Sequence, residues 1–144
     1  MATQIFVNLP VKDLKRSVEF FSRLGYEFNP EFTDDNATCM IVDENIYVML
    51  LVEKFFQTFT PKPIADATKS TEAIVCLGVG SKTAVDDLVA AAVAAGATTI
   101  KPARDHGFMY EHGFQDLDGH LWELVYMDKA AATNRPTAEP AERR

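Results

Sequence analysis

At 144 residues the chain has the length of one domain, and 47% hydrophobic against 24% charged residues is the composition of a folded protein with core enough to stand without staples. Fourteen Lys and Arg against 21 Asp and Glu give a formal charge of −7, which repels phosphate backbones and anionic headgroups and argues against nucleic-acid and membrane partners. The longest apolar runs, residues 46–52 and 88–95, are far shorter than the about 20 residues of a membrane span. Met1-Ala2-Thr3-Gln4 carries no basic region or apolar stretch of a secretory signal, and Cys39 and Cys76 form no C-x-x-C pair, so the expectation is a cytoplasmic protein.

Residues 4–9 are apolar and β-prone, and Pro10 marks the end of an expected first strand. Asp13 is a candidate N-cap. Leu14, Val18, Phe21 and Leu24 follow at helical spacing up to Gly25, which supplies a C-terminal stop. Residues 26–32, 37–42 and 46–52 read as three more strands, divided by the turn-forming runs Asp34-Asp35-Asn36 and Asp43-Glu44-Asn45. The first unit is β-α-β-β-β.

Residues 55–70 hold Pro61, Pro63 and three phenylalanines without clean periodicity, as a linker with packed aromatics would. The pattern then restarts. Residues 73–79 predict a strand, Ser81 an N-cap, and Val85, Leu88, Val89 and Ala92 a helical face ending at Gly96. Residues 98–101, 108–114 and 121–126 supply three strands, with Asp116-Leu117-Asp118-Gly119 as the last turn. A shared V-x-L-x-V in residues 7–11 and 75–79 marks a duplication.

The expected fold is therefore α+β: two paired β-α-β-β-β modules, about 4–53 and 72–128, joined by a linker at 54–71 and forming a curved sheet around a cavity. Residues 1–128 make one domain. The segment 129–144, with two prolines, mixed charge and no large apolar residue, is expected to be a disordered tail.

Two stretches carry a family resemblance: residues 11–21 (VKDLKRSVEFF) followed by Leu24-Gly25, and residues 114–124 (FQDLDGHLWEL). The second is similar to an F-x-D-P-D-G-x-x-x-E-L ending, with Leu117 where proline is common. Over residues 4–128 the chain resembles the vicinal oxygen chelate superfamily, which includes glyoxalase I, bleomycin-resistance proteins, fosfomycin-resistance proteins and extradiol dioxygenases. The resemblance implies a homodimer and, in metal-bearing relatives, one divalent ion held from the first and last strands of each module. Those positions carry over to Phe6, Leu50, Ile74 and Glu123, of which only Glu123 can coordinate. One carboxylate is a poor metal site, since three or more N, O or S donors are usual. No cofactor is expected, with a divalent metal as the alternative.

Strand alternation from Phe6 places Asn8 on the same face, and the same count gives a cavity lined by Val48, Leu50, Ile74, Cys76, Leu121 and Glu123. Tyr110 joins them as a candidate hydrogen-bond donor, with packing in the core, the commoner place for a strand aromatic, as the alternative. Glu123, in an apolar strand beside Trp122, is either a proton-transfer group or a carboxylate salt-bridged or reaching water. His106, in a segment able to fold over the cavity, is the candidate polar partner, either as an acid-base pair with Glu123 or in a rearranged metal site with His112. Asp116 and Asp118 read as turn residues. The cavity suggests a hydrophobic or aromatic ligand, and the acidic surface favours a cationic one. The functional expectation is a small-molecule binding protein of the glyoxalase and bleomycin-resistance type without the usual metal. Its alternative is a metal-dependent lyase or isomerase resembling lactoylglutathione lyase.

Overall fold

The computed structural model describes residues 2–128 and residue 130; the expected tail at 129–144 otherwise lies outside the described residues. Strand β1 (Ile5–Val11) leads into helix α1 (Leu14–Arg23), followed by β2 (Glu27–Asn29), β3 (Ala37–Asp43) and β4 (Ile46–Val52). Asp13 caps α1 by accepting the Arg16 N–H at 3.1 Å, and Gly25, at φ +100°, turns the chain out of it. β1 runs through Pro10 rather than stopping there. It is an edge strand in the order β1-β4-β3-β2, where a residue without an N–H breaks no ladder on its free side. The expected strand at 26–32 is cut to three residues because Pro30 opens a 3₁₀ turn capped by the Asn29 side chain.

A short helix, α2 (Glu53–Phe56), opens the linker and packs on β1 and β4. The second module repeats the first: β5 (Ile74–Gly78), α3 (Lys82–Ala94), β6 (Arg104–Asp105), β7 (Met109–Gln115) and β8 (Leu121–Met127), with sheet order β5-β8-β7-β6. Ser81 caps α3 through the Ala84 N–H at 3.0 Å. The expected strand at 98–101 reduces to a single bridge between Thr98 and Gln115, and the edge strand is the two-residue β6 instead. In both modules the first strand pairs in parallel with the last, β1 with β4 and β5 with β8.

One core serves both modules. Val7 and Leu9 from the first sheet and Val75 and Leu77 from the second, which are equivalent positions of the duplicated V-x-L-x-V, all pack against it. The buried face of α1 is Ser17, Phe20 and Phe21, rotated slightly from the expected stripe. Its rings reach the other module: Phe20 meets Phe114 with centroids 6.0 Å apart, and Phe21 meets Trp122 at 5.1 Å. Each such side chain contributes about 1.5–3 kcal/mol by burial, so the modules are held by their helix-facing sides. The two four-stranded sheets do not close on each other. The faces turned away from the helices are open, with Phe6 48% and Ile74 51% exposed.

The turn before β8 locks the junction. Asp116 Oδ1 accepts the N–H groups of Asp118 and His120, while its Oδ2 accepts the Trp122 indole N–H at 2.9 Å. Asp118 then reaches the first module and accepts from the Lys12 N–H and the Ser17 hydroxyl. Gly119 has φ +95°, and a Cβ there would stand 2.7 Å from the backbone of Ala67 and Thr68, so the linker can lie directly on this turn.

Candidate functional site on the open sheet faces

In β8 the side chains alternate: Trp122 and Leu124 enter the core, and Leu121, Glu123 and Val125 take the open face. Glu123 stands opposite Gly113 of β7 and Cys76 of β5. A Cβ at Gly113 would lie 3.2 Å from the Glu123 Cγ and would collide with the Trp122 carbonyl oxygen. The missing side chain thus gives Glu123 room to lie across β7. Glu123 is half-buried and makes no hydrogen bond or ion pair among the described residues.

Glu111, two positions along β7 on the same face, accepts a contact from His106 Nε2 at 3.0 Å, with both side chains largely covered. His106 sits in the tight β6–β7 turn, held by its N–H donating to the Met109 carbonyl at 2.7 Å. Its partner is therefore Glu111, and the expected pairing with Glu123 gives way to it. Cys76 is exposed and free. Local desolvation on the strand, and then the fields of Glu123 and Glu111, push its thiol above its ordinary pKa.

On the first sheet Phe6 stacks on Tyr47 at 4.8 Å with 15° between the rings, and Asn8 lies exposed opposite Met49. Here the sequence-based lining is off by one residue. Parallel pairing sets Val48 and Leu50 opposite Val7 and Leu9, so both are buried in the core, and Tyr47 and Met49 take the open face. Residues 46–52 are apolar throughout, which leaves alternation without a phase. Tyr110 is also corrected: it pairs with Tyr126 on the helix side and donates its hydroxyl to Asp86 of α3 at 2.6 Å. Phe6, Asn8, Ile74, Cys76, Leu121 and Glu123 do lie on the open faces.

The metal positions can be tested on chemistry. With register corrected, the position of β4 equivalent to Glu123 is Met49, since Glu123 pairs with Cys76 and Met49 with the corresponding Asn8. Phe6, Met49, Ile74 and Glu123 offer one hard donor, which does not fit a divalent ion. The alternative trio is split: His112 points to the helix side, where its ring meets the Lys101 carbonyl at 3.1 Å, away from His106 and Glu123. Among the described residues, no three His, Cys, Asp or Glu side chains converge to hold a metal. His120 ties Pro10 to β8 through Nε2 at 2.7 Å.

Paired β-α-β-β-β modules with open mixed sheets define the glyoxalase/bleomycin resistance fold, and solved structures agree. A hypothetical protein from S. aureus superposes with a TM-score of 0.74 at 28% identity, covering 88% of this chain and 95% of that one. A glyoxalase/bleomycin resistance protein/dioxygenase family enzyme from Burkholderia phytofirmans PsJN gives 0.73 at 18% identity, over 88% and 99% of the two chains. The fosfomycin resistance protein FosX from Listeria monocytogenes gives 0.63 at 18% identity, over 91% and 98%. The profile described as bleomycin resistance protein-like N-terminal matches residues 3–42. The chain has the fold of these proteins, and its first strand and helix are similar to the bleomycin resistance protein-like N-terminal family. Comparison with curated protein sequences gives no match. No helix among the described residues is long and apolar enough to cross a membrane.

Proposed function

We propose that the protein binds a small, partly apolar molecule on the open sheet faces, without a divalent metal. The observation that carries this reading is Glu123: a half-buried carboxylate, given room by Gly113, without a partner among the described residues and lining a small pocket with Ile74, Ile100, Leu121 and Lys101. A ligand that supplies a cation or hydrogen-bond donor would satisfy it, which favours a cationic molecule with an apolar or aromatic body. The stacked Phe6 and Tyr47 give such a body an aromatic platform.

The open faces also support a homodimer. β1 and β5 end their sheets as free edges, and exposed Phe6 and Ile74 stand beside them, so a second copy would cover both and enclose the ligand. The reading is of a cytoplasmic protein whose partners are this ligand and a second copy, with no nucleic acid. A thermal-shift screen of aromatic amines, thiol adducts and glycopeptides tests the binding, because a ligand of the folded state alone raises Tm with its concentration. A response that Glu123→Gln leaves intact would sink it. Light scattering at micromolar concentration tests the dimer.

The alternative, a metal-dependent lyase or isomerase resembling lactoylglutathione lyase, draws on the His106–Glu111 pair, an oriented imidazole on the face that bears Glu123. Elemental analysis of protein purified without chelators separates the two. One equivalent of transition metal favours the alternative.

A further inference from the structure

Between the modules, beneath the linker, runs a trough that the open faces do not account for. Its larger part, about 330 Å³, is walled by Val7 and Leu9 of β1, Val75 of β5, and Phe56 and Ile64 of the linker. Asn8 and Leu121, which lie on the open faces, also line it. A smaller part of about 240 Å³ shares Pro10, Ile64, Ala65 and His120 with it and ends among Lys12, Glu53, Asp66 and Asp118. An apolar chamber thus adjoins an ionic one. The larger chamber alone is within the size range of small-molecule sites, which favour interfaces between modules.

The walls are fixed before any ligand arrives. Gly119 lets the linker lie against the β7–β8 turn, and Thr68 bonds Asp66 through both its N–H and its hydroxyl, at 3.0 and 2.6 Å. His120 Nε2 meets the Pro10 carbonyl, which can only accept, so Nε2 carries a hydrogen. The linker lines the trough with small side chains, Ala65 and Ala67, and Ala73 ahead of β5 adds another, so the volume is left free.

Charge then selects the head group. Asp118 is already engaged by the Lys12 N–H, Ser17 and Arg16. Asp66 is bound by Thr68 and lies in the field of the Lys12 ammonium. Glu53 is exposed at the ionic end with no partner among the described residues. We propose that this trough is a second ligand site, separate from Glu123, which takes a small apolar chain or ring bearing an ammonium head, the head directed to Glu53 and the body to the apolar chamber.

The test titrates isotopically labelled full-length protein with hexylammonium chloride and, in parallel, sodium hexanoate, following backbone amides by NMR. The expected result is saturable shifts at residues 64–73 and at 119–121 with the amine and none with the carboxylate. Glu53→Gln, on an exposed linker position, should weaken the amine about tenfold, and Ala65→Phe should abolish it by filling the trough. Glu123→Gln should leave it unchanged, so that failure here and failure of the open-face reading remain distinct. The proposal is overturned by equal shifts with hexanoate, by unaltered affinity in Glu53→Gln, by absence of saturation, or by shifts that centre on Cys76 and Gly113 and vanish in Glu123→Gln.

Discussion

Asp118 Oδ1 accepts the backbone N–H of Lys12 at 2.9 Å, joining the last turn of the second module to the entrance of α1 in the first. The same carboxylate accepts from the buried Ser17 hydroxyl at 3.3 Å and lies 3.7 Å from the Arg16 guanidinium. Its side chain is only 6% exposed, so these donors replace water rather than compete with it. Replacing it with Ala strands the Ser17 hydroxyl and the Lys12 N–H at the junction. Asp118→Ala should cost about 1–3 kcal/mol, read as a lower urea midpoint at unchanged slope. A changed slope would mean instead that the modules part independently.

Asp116 gives a pH signature. Burial raises its pKa above the ordinary carboxylate value, against the opposing pull of His120, the Trp122 indole and two backbone N–H groups. An acid with a raised folded pKa adds most stability below its unfolded value and loses that contribution as pH rises through the folded value. Trp122→Phe removes one of the donors that offset the ionised form. Its deficit should be about 1–3 kcal/mol at pH 7 and should shrink toward pH 4. Equal deficits in urea unfolding at both pH values would show that Asp116 ionisation plays no part.

Cys76 should be slow to alkylate at neutral pH despite its exposure, because its raised pKa leaves little thiolate. The iodoacetamide rate should climb with pH beyond the range of an ordinary thiol. Glu123→Gln or Glu111→Gln, by removing a neighbouring negative charge, should speed the reaction at pH 7. Cys39, 1% exposed, should stay unmodified in the folded protein.

Gly113→Ala should be more disruptive than its size suggests, since the new methyl meets the Trp122 carbonyl in the adjoining strand. A loss of about 1–3 kcal/mol by thermal unfolding is expected. Any variant protein that stays folded should bind the open-face ligand less well, because Glu123 is displaced with it. Unchanged Tm would show that the sheet yields locally.

Tyr110→Phe separates packing from ligand contact. It removes the bond to Asp86 of α3 at an exposed site, a change of about 0.5–1.5 kcal/mol at most. Ligand-induced shifts in Tm should match those of the native protein. A selective loss of ligand response would return Tyr110 to the site.

The repeated β-α-β-β-β order could be read from the chain because its signals are local: Asp13 and Ser81 as caps, glycines after α1 and α3, Asp-rich turns, and V-x-L-x-V twice. Glu123 stood out for the same reason, as a lone carboxylate among apolar neighbours. The phase of β4 was not legible, because all seven of its residues are apolar or aromatic and only pairing with β1 decides which of them face the core. Nor were the pairing of His106 with Glu111, the room that Gly113 leaves, or the reach of Asp118 to Lys12, a separation of 106 residues. Sequence fixes what each short segment can form, through backbone propensity and side-chain period. Which side chains meet across strands and modules is settled only when the core chooses one register and one face for each sheet.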